Sequence, residues 1–157
     1  MNPQDHPLDH SLESTWVLRA ALGPVWGALT DILSWPRWWP SIQSVQKVQP
    51  GRAGGVEAVY QLNAQELRVC EVRPMELLEA HTSQVLYRCT LEQEEGHTFV
   101  HLSAWGYQGE KHFALCMSAG ARGLAQHLGV QLVEVGSWNA TTDQSIFPNP
   151  GSEGGAR

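Results

Sequence analysis

A chain of 157 residues, 42% of them hydrophobic, is long enough for one domain with a full core, or for a sheet wrapped around a cavity. Its formal net charge of −6, with no cluster of Lys and Arg, argues against a nucleic-acid partner. No apolar stretch approaches the roughly 18 residues of a membrane span, so no integral membrane segment is expected.

Residues 1–10 are polar, hold Pro3 and Pro7 and show no periodicity, so they read as a flexible tail. No basic region followed by an apolar segment marks a secretory signal. From Ser11 the pattern alternates. Trp16, Leu18 and Ala20 fall on one face and Thr15, Val17 and Arg19 on the other, which predicts a strand. The period then changes. Pro24 suits a first helical turn, and Val25, Trp26, Leu29, Ile32 and Leu33 form a short apolar helical stripe. Gly27 within it costs helix propensity and is read as a close contact.

The next stretch, Ser34-Trp35-Pro36-Arg37-Trp38-Trp39-Pro40-Ser41-Ile42, organises the rest. Pro36 and Pro40 forbid a continuous helix, so a second short helix or turn is expected. Trp35 and Trp38 share a face and Trp39 points elsewhere. Two readings stand side by side: a packing plug at one end of the core, or an aromatic wall of a ligand cavity.

Beyond Ile42, residues 50–55 read as a turn. Val56, Ala58, Tyr60 and Leu62 alternate with polar residues in a strand. Residues 66–73 form another, of ambiguous phase, because either choice of inner face points a charge inward. Strands follow at 77–82, from Val85 to Glu92 and at 98–105, with Glu94-Glu95-Gly96-His97 as a hairpin loop. Their close spacing implies antiparallel neighbours, about six or seven strands in all. Gly106 to Lys111 punctuates. A long helix is expected from His112, with Phe113, Met117, Ala121, Leu124, Leu128, Leu132 and Val135 as its stripe and Gly136 as its stop. Gly120, Gly123 and Gly129 within it imply that a backbone or a ligand approaches closely. Residues 137–157, rich in Gly and Pro, read as a disordered tail. A sheet with one apolar face must cover that face, and only the last helix is long enough to do so.

Several motifs arrive in an order that resembles the START/SRPBCC superfamily. They are Pro24-Val25-Trp26 running through Asp31 to Trp35-Pro36-Arg37-Trp38-Trp39-Pro40; Val69-Cys70-Glu71-Val72-Arg73-Pro74 before Leu77-Leu78; Gly96-His97-Thr98-Phe99-Val100; and Gly123-Leu124 with Leu128. That superfamily includes birch-pollen-allergen proteins, polyketide cyclases and lipid-transfer domains. The resemblance spans residues 11–135 and implies an α+β helix-grip fold. A curved antiparallel sheet, with two short helices after its first strand, would wrap around a long C-terminal helix. It also implies a cavity for lipid-like or polycyclic ligands. It carries over no catalytic residue, because no residue set is catalytic throughout the superfamily.

Catalytic and metal motifs are absent from the sequence. The seven histidines make no H-E-x-x-H and no Cys/His cluster, so no metal is expected. No phosphate-binding or dinucleotide fingerprint calls for a cofactor. Cys70, Cys89 and Cys116 are unclustered and read as free thiols in a reducing cytoplasm. The expected domain, residues 11–136, binds a hydrophobic small molecule between sheet and helix. The lining candidates are Trp39, Tyr60, Leu62, Tyr87, Cys89, Leu102, Met117, Ala121 and Leu124. Tyr60 and Tyr87 are either cavity donors or satisfied core tyrosines. A cyclase or aromatase-like enzyme, with Tyr60 or Tyr87 and Arg68 polarising a carbonyl, is one alternative. An interaction module with a filled core is another. His101, between Val100 and Leu102, belongs on the outer face; Arg68 and Glu71 belong in solvent.

Overall fold

The computed structural model describes residues 11–146. Strand β1 is Ser11–Arg19, and its Trp16 and Leu18 are fully buried. Helix α1 is Leu22–Thr30; a short 3-10 turn, Ile32–Ser34, leads into helix α2, Trp35–Trp38. Then come β2 Val45–Gln49, β3 Val59–Leu62, β4 Gln65–Arg73, β5 Leu77–His81, β6 Leu86–Glu94 and β7 His97–Trp105. Helix α3 is Glu110–Leu128, followed by β8 Gln131–Asn139 and β9 Gln144–Ser145. All the strands join one antiparallel sheet in the order β2-β3-β4-β5-β6-β7-β1-β8-β9.

The strands from β2 to β7 form a meander: a longer loop carrying the 3-10 turn Ala53–Gly55 joins β2 to β3, and the turns from β3 to β7 are short. Between β6 and β7 only Glu95 and Gly96 intervene, both at positive φ (50° and 81°), the backbone of a tight hairpin. β1 leaves this order and lies between β7 and β8, which puts the N-terminal strand inside the sheet. Helix α3 packs over β8 and β1 and against both short helices.

Two expectations fail at the C-terminal end. The long helix does not run to Val135. It stops at Leu128, where Gly129 takes the left-handed conformation (φ 69°) and its N–H returns to the carbonyls of Ala125 and Gln126. The chain then pairs with β1 as β8, so residues 131–136 are strand. The proposed domain end at 136 also fails. Ser137, Trp138 and Asn139 continue β8, and the buried Ile146 donates its N–H to the Ser137 carbonyl (2.8 Å). The tail readings for 1–10 and 147–157 lie outside the described residues.

The ambiguous phase of β4 has a cause. Its register with β5 steps from Val69↔Ala80 to Glu71↔Glu79, so Cys70 is an extra, bulged residue. Leu67 and Val69 face the core before the bulge, and Val72 packs against it afterwards.

Candidate ligand-binding site

The Trp-Pro stretch is both plug and wall. Ser34 Oγ donates to the Asp31 carbonyl (2.7 Å), and Pro36 sits in the first turn of α2, where its missing N–H costs nothing. The four residues of α2 then swing Trp38 and Trp39 onto helix α3. Trp39 is the hub. Its ring stacks on Trp38 (5.3 Å between centroids, 17°) and meets Trp16 edge-on (5.6 Å, 75°). It also lies 5.5 Å from Trp35. Its Nε1 donates to the Cys116 carbonyl of α3 (2.9 Å).

The glycines of α3 make this seam possible. A Cβ at Gly123 would lie 1.6 Å from the Trp38 carbonyl oxygen, and one at Gly120 would lie 2.5 Å from the Trp39 ring. The small residues admit the Trp-Trp backbone and rings; they do not make room for a guest. Gly27 has no atom within 4 Å of a built Cβ, so no close contact explains it.

A cavity of about 160 Å³ lies beyond this seam, between the sheet and the N-terminal half of α3. Its floor comes from β3 to β7: Leu62, Leu67, Leu78, Ala80, Tyr87, Cys89 and Leu102. Its other walls are Leu29, Trp35, Trp39, Ile42, Tyr107, Cys116 and Met117. Six of the nine lining candidates stand here: Trp39, Leu62, Tyr87, Cys89, Leu102 and Met117.

The other three do not line it. Ala121 and Leu124 are fully buried where α3 closes on the core, one and two turns beyond Met117. Tyr60 packs in the core near the β2 edge, with Lys47 Nζ 5.6 Å above its ring. Trp35, Tyr107 and Cys116 were missed. Trp35 had a signal, its place in the aromatic stretch. Tyr107 lies in a segment that reads as punctuation, and Cys116 at a helix position that reads as core.

Polar groups at the wall are few. Arg88, the one cation among the lining residues, has its guanidinium held by Glu79 (Nε–Oε2 2.7 Å) and placed over the Trp105 ring (5.3 Å). Burial, with a smaller effect of Cys116, pushes the Tyr87 phenol up to about 12, so it stays protonated. Among the described residues the Tyr87 hydroxyl makes no hydrogen bond and is free to donate to a guest. Burial also pushes the Cys89 thiol up to about 12. Tyr107 Oη lies 2.7 Å from His112 Nδ1.

His101 stands on the outer face, where its spacing places it. Its Nε2 lies 2.7 Å from Glu13 Oε1 and its Nδ1 3.0 Å from Thr15 Oγ1. Burial alone would raise the Glu13 pKa, but hydrogen bonds from His101, Ser11 and Ser103, and the His101 charge, outweigh it and hold it below 4.5. Arg68 is exposed on β4, on the face opposite Leu67, so it cannot polarise a carbonyl in the cavity. Among the described residues no group of three or more His, Cys, Asp or Glu is placed to hold a metal. No described helix is long and apolar enough to cross a membrane.

A curved antiparallel sheet closing on one long helix, with two short helices after the first strand, is a known architecture. Ara h 8.0201 superposes with a TM-score of 0.61 at 15% identity, covering 76% of this chain and 97% of its own. A START superfamily protein from Mycobacterium smegmatis gives 0.61 at 13%, covering 76% and 97%. The fold these structures share is the helix-grip fold. An HSP90 activator from Plasmodium falciparum shares it, with a TM-score of 0.62 at 13% identity, covering 78% of this chain and 99% of that one. Neither a protein-family model nor a curated protein matches the sequence. In this helix-grip domain the helix lies over β1 and β8, which leaves the β3–β7 floor to the cavity.

Proposed function

We propose that this helix-grip domain binds a hydrophobic small molecule in the cavity between sheet and α3. The observation that carries the reading is the cavity itself: a wall of leucines, tryptophans and a methionine with one unengaged phenol, Tyr87. Buried apolar space of this kind excludes water and gains contacts when a guest fills it. At about 160 Å³ it matches a single aromatic ring or a short alkyl chain. A polycyclic guest needs Trp35, Met117 or Tyr107 to move aside. The guest has an apolar body and one oxygen that accepts from Tyr87.

The test is titration calorimetry with toluene-sized aromatics and short-chain ketones on wild type and on Ala80→Phe. Ala80 lies on the cavity floor, so the added ring occupies the guest's place. Binding with a negative heat-capacity change in wild type, lost in the variant at an unchanged denaturation midpoint, supports the reading. No binding by wild type, together with a destabilised variant, moves the weight to an interaction module with a filled core. The fold alone does not decide this, since a protein described as an HSP90 activator shares it.

A further inference from the structure

Two side chains of the cavity wall, Tyr107 and Cys116, meet the exposed His112 of α3 in an arrangement that binding alone does not use. Cys116 on α3 lines the cavity, and its Sγ lies 3.7 Å from Nε2 and 3.9 Å from Nδ1 of His112, one turn earlier. The Tyr107 hydroxyl lies 2.7 Å from His112 Nδ1, with the two rings near-parallel at 6.1 Å. With Nδ1 engaged by Tyr107, Nε2 is the nitrogen left for the thiol. The Cys116 carbonyl accepts from Trp39 Nε1, which anchors the turn that carries the sulfur. Nucleophile, base and a third group orienting the base are the parts of an activated thiol.

We propose that Cys116, His112 and Tyr107 make the cavity a thiol-addition site for apolar α,β-unsaturated carbonyl compounds, an assignment that rests on the cavity binding apolar guests. His112 Nε2 takes the thiol proton. The thiolate sulfur forms a bond to the β-carbon, and the C=C π pair moves to the α-carbon and carbonyl as an enolate. Tyr87 donates to the enolate oxygen. His112 returns the proton to the α-carbon, which leaves a thioether and a saturated carbonyl. Atoms and charge balance with no further reactant. Cys89 shares the cavity but has no base beside it, and burial suppresses its thiolate; Cys70 is exposed, outside the cavity.

The experiment exposes the intact chain to 1-octen-3-one and reads the adduct by intact mass and peptide mapping, with the saturated 3-octanone as an unreactive competitor. The expected result is one adduct at Cys116, formed faster than at Cys70 or Cys89 and slowed by 3-octanone. His112→Gln should lower the Cys116 rate about tenfold and flatten its pH profile near neutrality, because reactivity follows the thiolate fraction. Tyr87→Phe should slow addition of the enone while leaving alkylation by iodoacetamide unchanged. Cys116 reacting no faster than Cys70, or His112→Gln without effect, overturns the proposal. If 3-octanone still binds in that case, the addition chemistry fails and the cavity stands; if it does not bind, both fail.

Discussion

At the scale of single residues, two glycines with similar sequence contexts behave in opposite ways. Gly27 and Gly123 both interrupt helical stripes, and only the space around a built Cβ separates them. Gly27→Ala should stabilise by about 0.5–1 kcal/mol through helix propensity alone. Gly123→Ala drives a methyl into the Trp38 carbonyl and should cost more than the roughly 1–3 kcal/mol of ordinary overpacking. Urea denaturation of the pair checks both signs; a neutral Gly123→Ala would mean the Trp38–α3 seam is looser than described. Ala121→Trp belongs with Gly123→Ala, since Ala121 is fully buried and away from the cavity. Glu13 sets an acid limb. Its folded pKa lies below the ordinary 4.5, so the stability it contributes is complete above about pH 4.5 and is lost as pH falls through the folded value. Glu13→Gln should remove that part of the pH dependence and cost about 1–3 kcal/mol at neutral pH, since His101, Ser11 and Ser103 lose their carboxylate. Denaturation midpoints from pH 3 to 6 that fall in parallel for the two proteins would contradict this.

At the scale of elements, β-bulges account for the misread segments. In β8 the register with β1 passes from Glu134↔Val17 to Leu132↔Leu18, which leaves Val133 as the extra residue. The bulge brings Leu132 and Val135 to the same face although they are three apart, and a three-residue spacing reads as helix. Gly129, with its left-handed φ, and not Gly136, ends α3. The same device at Cys70 hid the phase of β4. It follows that truncation of 138–157 is not silent. It removes the Trp138 and Asn139 pairing with β1 and the buried Ile146, whose burial alone is worth about 1.5–3 kcal/mol. A chain ending at Ser137 should show a clearly lower denaturation midpoint. A chain ending at Gly129, which leaves the β1 edge unpaired, should self-associate in sedimentation. A monomer with a wild-type midpoint would mean that β8 is dispensable.

At the scale of the whole molecule, fold and cavity follow from how sheet and helix share the work. Helix α3 covers β1 and β8, the Trp-Pro stretch closes its side, and the β3–β7 floor is left to a guest. A guest that binds only the folded state should stabilise it by about 2.7 kcal/mol at a hundredfold excess over Kd, which raises the Tm by roughly 5–10 °C. Differential scanning calorimetry with 3-octanone measures this, and no shift at saturation would argue against a native-state site. By itself the sequence determined what local period and local chemistry determine. It held the alternating strands, the short hairpins that force antiparallel pairing, the proline-broken tryptophan stretch and the amphipathic last helix, while the helix-grip architecture came from the family resemblance that its motifs carry. Only the tertiary structure decided where the helix ends, that β8 adds to the sheet beyond β1, and which inward residues meet space and which meet each other. The physical reason is that a strand's inner face and a helix's stripe mark burial alone. Whether a buried Ala121 or Tyr60 faces packed atoms, while Tyr107 and Cys116 face a cavity, depends on the tilt of α3 and on rings brought in from 77 residues away, as Trp39 is to Cys116.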